Sequence, residues 1–264
     1  MKYDDKLIEA SIGENFFAPK CIDRKENFDI RNAHAIANIK CNFKCSFCKN
    51  GLNKNLKPDY MTLEEFSNKI DKLLYKGKMF KFTGGEPCMN PNLNIMLEVV
   101  KQKGGIIFLD TNGSINTIVS KLLNQKLINV LGVSIKGLTK EEAIRTSGIK
   151  NEKLCWDNPI NLIKEASEKE NVRVIVTYVT YDNFEYKDLE KFAQLLDGFG
   201  KNIYLKINNL CGDKHRDVNI KAIEPSKLEN MLKRFTKENE KWRKKTILIN
   251  SSEGVTDYSK IMFN

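Results

Sequence analysis

The sequence lacks the features that mark secreted, membrane or multidomain proteins. Its first residues, MKYDDKLIEA, lack the basic and then apolar profile of a signal peptide, and no uninterrupted apolar stretch approaches membrane-spanning length. No low-complexity linker divides the 264 residues, which suffice for one sizeable α/β domain. We therefore expect one domain in a soluble, cytoplasmic protein with no membrane contact.

Acidic residues are in the minority. The chain has 44 Lys and Arg against 34 Asp and Glu, a formal net charge of +10. Such a surface can attract nucleic acid, acidic proteins or anionic cofactors. Most of the positive charge, however, is Lys interleaved with acidic residues, as in SKLENMLKRFTKENEKWRKK, and this pattern is typical of solvent-exposed helix faces. Nucleic acid is therefore not expected as a partner.

From residue 34 onward, short β-rich runs alternate with amphipathic helical patterns, which predicts βα units and a parallel sheet. Six such units form an open partial (βα)6 barrel, and ligands gather at the carboxyl ends of its strands. The core is expected over 34–224, between an N-terminal extension, 1–33, and a helical C-terminal extension, 225–264. The strands are expected at 34–39, 79–82, 106–110, 130–135, 172–180 and 203–208.

Three of the seven cysteines are clustered on a loop just after the first predicted strand. Cys41, Cys45 and Cys48 lie in IKCNFKCSFCKN with the spacing C-x3-C-x2-C. A zinc site normally uses four protein ligands, and neither of the two histidines lies within a few residues of the three thiols. An iron–sulfur cube held by three thiolates leaves one iron open to a cofactor or substrate. A zinc site completed by a distant cysteine and a plain electron-transfer cluster are the alternatives.

The C-x3-C-x2-C spacing directly after a first strand resembles the signature of the radical S-adenosylmethionine (SAM) superfamily. The resemblance implies that Cys41, Cys45 and Cys48 bind a 4Fe–4S cluster whose fourth iron chelates the amino and carboxylate groups of SAM. It also implies reductive cleavage of SAM to methionine and a 5'-deoxyadenosyl radical, which abstracts hydrogen from a substrate. An electron donor such as flavodoxin or ferredoxin is implied as a partner.

Three further motifs end predicted strands: FTGGEP at 82–87, LDTNG at 109–113 and VSIKG at 133–137. Considered alone, the Gly-Gly-Glu segment could be a turn, and the Thr and Ser could cap helices. The resemblance to radical SAM enzymes implies that the glycines and the glutamate hold the methionyl amine. It also implies that the Thr and Ser contact the cofactor and that an aromatic backbone lies near the adenine. These predicted cofactor residues are Phe47, Gly84, Gly85, Glu86, Thr111 and Ser134.

Over residues 34–210, CNFKCSFCKN and DTNGS look most like the glycyl-radical-enzyme activases. The sequence departs from that branch at KENFDIRNAHA, where activases usually carry an Asp-Gly-Pro-Gly turn, and at Ser134, where many carry Asp. The leading interpretation is an enzyme that acts on a polypeptide, by activating a partner enzyme or modifying a peptide. The alternatives are an enzyme acting on a small molecule or nucleotide, and a non-catalytic iron–sulfur protein.

The isolated cysteines Cys88, Cys155 and Cys211 show no spacing that would bind a second cluster. Free cysteines are often buried, so core thiols are the leading interpretation. Cys211 follows the sixth predicted strand in KINNLCGDKH, at the expected mouth of the barrel. By resemblance to radical peptide epimerases, it is a candidate hydrogen-atom donor.

Overall fold

The computed structural model of the chain describes residues 8–16, 33–48, 59–181, 183–210, 217, 219–243 and 245–249. Cys211, the candidate hydrogen-atom donor, lies outside the described residues. No helix within the described ranges is long and apolar enough to cross a membrane.

The described residues alternate between strands and helices through most of the chain. The strands are β1 (Ile8–Glu9), β2 (Ser11–Phe16), β3 (Ala33–Asn38), β4 (Tyr60–Met61), β5 (Met79–Gly84), β6 (Ile106–Thr111), β7 (Val130–Ser134), β8 (Arg173–Thr180), β9 (Ile203–Asn209) and β10 (Thr246–Ile249). The helices are α1 (Leu63–Leu74), α2 (Leu93–Gln102), α3 (Asn116–Asn124), α4 (Lys140–Ser147), α5 (Asn158–Ser167), α6 (Tyr186–Leu195), α7 (Pro225–Glu238) and α8 (Glu240–Arg243).

The main sheet has the strand order β10-β9-β8-β7-β6-β5-β3-β2. All neighbouring strands are parallel except β2, which is antiparallel to β3. The six predicted strands correspond to β3, β5, β6, β7, β8 and β9, each within a few residues of the expected bounds. The α/β partial barrel is therefore confirmed, and these six parallel strands present their carboxyl ends at one edge.

Local sequence signals set several helix boundaries. Thr62 and Glu65 form a capping box at the start of α1: Thr62 Oγ1 accepts from Glu65 N, and Glu65 Oε2 accepts from Thr62 N. Gly104 and Gly198 follow α2 and α6 in the left-handed conformation that glycine adopts without strain.

The side chains that point into the barrel change character along the strands. Apolar residues near the strand starts form a small cluster on the interior face: Ala33, Met79, Phe108, Val130, Ile175 and Ile247. Because side chains alternate along a strand, residues two positions further on face the same interior. On β5, β6 and β8 these are Lys81, Asp110 and Thr177, and on β9 Lys206 follows Tyr204 in the same way. The barrel interior is therefore apolar near the starts of the strands and polar closer to their carboxyl ends.

Four strands were not predicted from the sequence. The two-residue strands β1 and β4 pair with each other, and β2 and β10 extend the main sheet at its two edges. The region expected to be helical after residue 225 does form α7 and α8, but it then returns to the sheet as β10, parallel to β9. Only four residues, TILI, carry this strand, too few to show a periodic pattern. The bounds of the three predicted regions remain a prediction.

Candidate functional site

A cavity of about 580 Å³ lies at the carboxyl ends of the strands. It brings together residues from distant parts of the sequence, from Ile39 to Ile249. The predicted site residues that line it are Cys41, Cys45, Phe47, Cys48, Gly84, Gly85, Thr111 and Ser134. Glu86 is not among the lining residues, and the predicted hydrogen donor Cys211 cannot be placed because it lies outside the described residues.

Two backbone hydrogen bonds join the cysteine loop to the end of α4, a helix that was not predicted. Lys44 N donates to Ser147 O at 2.8 Å, and Ser46 N donates to Thr146 O at 3.0 Å. Gly148 then ends the helix with φ +69°, and a Cβ there would lie 2.7 Å from Lys44 O. The carboxyl end of α4 and its glycine therefore position the loop.

The loop also packs into an apolar cluster of its own. Phe43 and Cys45 are buried there with Ala143 and Cys155, and Phe47 packs against them. Cys155 is 1% exposed, which agrees with the interpretation of a core thiol. Cys41, by contrast, is exposed at the start of the loop. The cysteine loop is thus anchored in an apolar cluster, while Phe43, Cys45 and Phe47 also line the cavity.

The two glycines at the end of β5 press against the segment that leads into the cysteine loop. Gly85 N donates to Asn38 O, and Glu86 N donates to Lys40 O at 2.8 Å. A Cβ at Gly84, where φ is +99°, would lie 2.4 Å from Asn38 O, and a Cβ at Gly85 would lie 2.2 Å from Lys40 O. Only glycine allows this approach of two backbones. The motif is therefore required by the protein's own packing, in addition to any ligand.

Glu86 is completely buried and joins the ends of β5 and β6. Its carboxylate accepts from Thr111 Oγ1 at 2.7 Å, Asn112 N at 2.7 Å and Cys88 N at 3.0 Å. Burial raises the pKa of the Glu86 carboxyl, although these hydrogen bonds act in the opposite direction. The predicted contact of Glu86 with the methionyl amine remains a prediction; in the structure, its carboxylate oxygens bind protein donors.

The loop after β6 is tied to the cysteine loop through amides. Asn112 Nδ2 donates to Asn42 Oδ1 at 2.9 Å, and Asn42 Nδ2 donates to Ser114 Oγ at 2.9 Å. Thr111, which lines the cavity, also accepts from Gly113 N at 3.0 Å. The sequence motif DTNGS therefore contributes to the shape of the cysteine loop. Asn42 and Asn112 were not singled out in the sequence, although both lie inside recognised motifs.

Ser134, at the end of β7, lies beside a lysine that was not predicted to be part of the site. Lys136 Nζ donates to Ser134 Oγ at 2.7 Å and lies 5.4 Å from the centre of the Phe47 ring. Lys136 is only 7% exposed, although lysine is rarely buried. Its position in VSIKG, one residue after the predicted strand, was the signal that could have identified it.

The three thiols have the chemistry of an iron–sulfur site. Among the described residues, no group of three His, Cys, Asp or Glu side chains is arranged to hold a single metal ion. That finding concerns one ion, whereas an iron–sulfur cube binds each thiolate at a separate iron. Three cysteine side chains from one loop face one cavity, and these donors fit such a cluster. His34, in β3, is buried, and its Nε2 lies 2.9 Å from Leu73 O.

The fold and site together define a partial α/β barrel with a three-cysteine loop at its mouth. Residues 38–196, more than half of the chain, match the family described as the Radical SAM superfamily. The chain belongs to this superfamily. It is a radical SAM enzyme, and the family implies SAM and an iron–sulfur cluster as its cofactors.

The individual relatives share only 25% and 26% of the aligned residues with this chain. A protein of Methanocaldococcus jannaschii named "Putative glycyl-radical enzyme activating enzyme MJ1632" is 25% identical over 64% of this chain and 66% of its own length. The S-adenosylmethionine-dependent nucleotide dehydratase of Selenomonas ruminantium is 26% identical over 60% of this chain and 59% of its own. Both matches span less than two thirds of the relative.

Among solved structures, Streptococcus suis SuiB bound to its precursor peptide SuiA superimposes with a TM-score of 0.66. The match covers 85% of this chain and 49% of SuiB at 16% identity. At that identity the likeness supports the fold, and it agrees with the barrel described above.

Proposed function

We propose that Cys41, Cys45 and Cys48 bind one 4Fe–4S cluster and that SAM binds beside it in the same cavity. The observation that carries this proposal is that the three thiols, Gly84 with Gly85, Thr111 and Ser134 line one space. When bound, the cluster and SAM supply a 5'-deoxyadenosyl radical, which abstracts a hydrogen atom from the substrate. An electron donor such as flavodoxin or ferredoxin supplies the electron.

The protein residues around this cavity orient the cofactor and keep its wall rigid. Gly84 and Gly85 present backbone without side chains, so SAM can lie close to β5. Glu86 holds the Thr111 hydroxyl and the Asn112 amide at the wall from behind. Ser134 offers a hydroxyl on the next strand, and the backbone of Phe47 faces the position proposed for the adenine.

The leading proposal for the substrate is a polypeptide, either a partner enzyme or a peptide that is modified. It is supported by the name of the M. jannaschii relative, a glycyl-radical enzyme activating enzyme, and by the motifs CNFKCSFCKN and DTNGS. Cys211 as a hydrogen donor to a substrate radical belongs to this proposal and remains a prediction.

A small molecule or nucleotide is the second candidate, and a particular observation favours it. The volume of the cavity, about 580 Å³, falls within the usual range for small-ligand sites. Its wall includes the buried Lys136 and Lys206 in addition to the proposed cofactor residues. The relative from Selenomonas ruminantium is named as a nucleotide dehydratase.

Iron analysis after anaerobic reconstitution tests the proposed cluster. The wild-type protein should bind about four irons per chain. Replacement of Cys41, Cys45 or Cys48 with Ala should abolish the cluster, because each thiolate holds a separate iron. Cys155→Ala is the matched control, since Cys155 lies in the same apolar cluster as Cys45 but is not among the residues that line the cavity. A full cluster in all three variants would refute the assignment.

Stimulation of 5'-deoxyadenosine formation can separate the two substrate classes. The reduced protein is incubated with SAM and with either the dialysed protein fraction or the small-molecule filtrate of a cell extract. A polypeptide substrate predicts stimulation by the protein fraction that is lost after protease treatment. Stimulation by the filtrate alone would contradict the leading proposal and support the second.

A further inference from the structure

Two N–H groups from different segments of the chain lie against the sulfur of Cys41. Phe43 N, in the cysteine loop itself, donates to Cys41 Sγ at 3.4 Å. Asn112 Nδ2 lies 4.0 Å from the same sulfur in a donor orientation, and the longer distance marks a weaker contact. Asn112 follows β6 and is 71 positions away from Cys41 in the sequence. The fold, and not the cysteine motif alone, therefore brings this amide to the thiol.

The orientation of the Asn112 amide is fixed by its other contacts. Its Oδ1 accepts from Ser114 N at 2.9 Å, so the oxygen is turned towards the backbone and the NH2 group towards the cysteine loop. One N–H of Nδ2 donates to Asn42 Oδ1 at 2.9 Å, and the other is left for Cys41 Sγ. A rotated amide would place two N–H donors against each other at Ser114. The amide therefore has one favourable orientation, with its NH2 group beside the sulfur.

The backbone of Asn112 is held from the opposite direction by Glu86. Asn112 N donates to Glu86 Oε2 at 2.7 Å, and Glu86 is completely buried. Asn42 Nδ2 in turn donates to Ser114 Oγ at 2.9 Å, which ties the loop after β6 to the cysteine loop a second time. Asn112 is itself only 6% exposed. Its side chain cannot turn away from Cys41 without leaving buried polar groups unpaired.

N–H groups beside a cluster-bound sulfur have a predictable effect on electron uptake. The sulfur atoms of an iron–sulfur cluster carry more negative charge after the cluster accepts an electron, and a hydrogen-bond donor stabilises that charge. Hydrogen bonds to the sulfurs are accordingly among the features that set the reduction potential of such clusters. Donors at Cys41 Sγ should therefore favour the reduced state and raise the potential.

We propose that Asn112 tunes the reduction potential of the cluster through its N–H contact with the thiolate of Cys41. Reductive cleavage of SAM requires one electron to enter the cluster, and Asn112 makes this electron easier for the donor protein to supply. Asn112 acts through Cys41 and is thus a positioning residue. This assignment rests on the proposed function, because it takes Cys41 to be a ligand of the 4Fe–4S cluster.

Potentiometric titration of the reconstituted protein, followed by the electron paramagnetic resonance signal of the reduced cluster, tests the proposal. SAM is left out, so that changes in its binding do not contribute. Asn112→Ser is the first variant, because a serine hydroxyl can still accept from Ser114 N but has no amide N–H. At a fixed solution potential, the ratio of reduced to oxidised cluster should fall about three- to tenfold, as for the loss of one hydrogen bond. A tenfold change is about 59 mV for a one-electron couple.

Asn112→Asp provides a second variant. It keeps an oxygen that accepts from Ser114 N, but a carboxylate oxygen replaces the NH2 group beside Cys41. Because negative charge there opposes electron uptake, the ratio of reduced to oxidised cluster should fall further than in Asn112→Ser. The predicted order of potentials is wild type, then Asn112→Ser, then Asn112→Asp.

Asn158→Ala is the matched control for a purely structural effect. Asn158 Nδ2 donates to Ser114 O at 2.6 Å in the same buried network, but Asn158 does not line the cavity. This variant should be less stable in denaturant and yet keep the wild-type potential.

Equal potentials in the wild type and both Asn112 variants would overturn the tuning role. So would an equal shift in Asn158→Ala and Asn112→Ser, or loss of the cluster from both Asn112 variants, since either result would assign the network a purely structural role. Iron analysis of the same wild-type preparation tests the proposed function separately. Failure to bind about four irons would overturn the proposed function itself, whereas a full cluster with unshifted potentials would overturn the tuning role alone.

Discussion

The two sides of the cavity are built in different ways. On the β3–β5 side, backbone segments touch directly, and Gly84 and Gly85 admit the contact with Asn38 and Lys40. On the β8–β9 side, ordinary extended strands carry polar side chains such as Lys206 inward. The first arrangement tolerates few residue types and therefore produces a motif. The β8–β9 side requires only that inward and outward side chains alternate along the strands. The residue types that line the cavity can therefore change there without altering a recognisable sequence motif.

The largest expected effect comes from the charge pair at the centre of the interior. Asp110→Ala leaves Lys81 without the carboxylate at 2.7 Å, and breaking a buried pair in this way costs about 3 to 5 kcal/mol. Denaturant unfolding of the purified protein measures the loss. If both sides of the cavity depend on this pair, the iron content after reconstitution should also fall.

The double variant Lys81→Met with Asp110→Leu is the control for that experiment. It removes both charges, so it should be less destabilised than Asp110→Ala despite carrying two changes. A double variant that loses as much as the sum of the single changes would contradict a coupled pair.

The backbone contact on the β3–β5 side predicts a loss of about 3 kcal/mol for Gly85→Ala. The added Cβ would lie 2.2 Å from Lys40 O, and neither backbone can move without shifting the cysteine loop. Unfolding and iron content should therefore change together. Gly104→Ala is the matched control: Gly104 has φ +79° but no atom within 4 Å of a Cβ, so only about 1 kcal/mol of backbone strain is expected. Equal losses at the two glycines would argue against the contact.

A smaller effect, about 2 kcal/mol, is expected for Glu86→Gln, which replaces a buried acceptor of three hydrogen bonds. Because the change disturbs Thr111, SAM affinity measured by equilibrium dialysis should fall as well. Thr111→Val should lower the affinity similarly, and the double variant should be little worse than either single change. Additive losses would instead favour a direct contact between Glu86 and SAM.

The pH dependence of unfolding gives the smallest signal, but it has opposite signs at the two carboxylates. Burial alone would raise the pKa of the Asp110 carboxyl, but the charges of Lys81, Lys206 and Lys136 outweigh it and lower the pKa. The folded-state pKa of Asp110 is below its ordinary 3.8, so its contribution is complete above pH 3.8 and is lost as the pH falls through the folded value. The stability difference between wild type and Asp110→Asn should therefore shrink in acid.

The pKa of Glu86 is raised above its ordinary 4.5, so ionisation disfavours the folded state. Relative to Glu86→Gln, the wild type should lose stability as the pH rises from 4.5 through the raised value. Two differences with the same sign would contradict the environments described for these carboxyl groups.

The sequence was sufficient for the elements whose residue types are restricted. The βα alternation predicted six strands, and the cysteine, glycine and DTNGS motifs all fell at the cavity. Glu86 shows where such reasoning stops, since its carboxylate supports the wall from behind and does not line it. A motif can identify a residue as necessary without showing which way its side chain points.

The omission of α4 had a different cause. The helix is eight residues long and mostly polar, so it shows no clear apolar face. Thr139 caps it by accepting from Glu142 N, and T-x-x-E was available in the sequence as a start signal. No local pattern, however, could have shown that its end binds the cysteine loop. Likewise, the inward direction of Lys206 depends on strand register, which long-range pairing decides.

Reductive cleavage of SAM tests the central claim most directly. Reconstituted wild-type protein, reduced with dithionite under anaerobic conditions, should convert SAM to equal amounts of 5'-deoxyadenosine and methionine, slowly in the absence of substrate. Cys45→Ala should form neither product, and Cys155→Ala should form both. Wild-type protein that carries a full cluster and yet produces no 5'-deoxyadenosine, or a Cys45→Ala variant that produces it at the wild-type rate, would contradict the account.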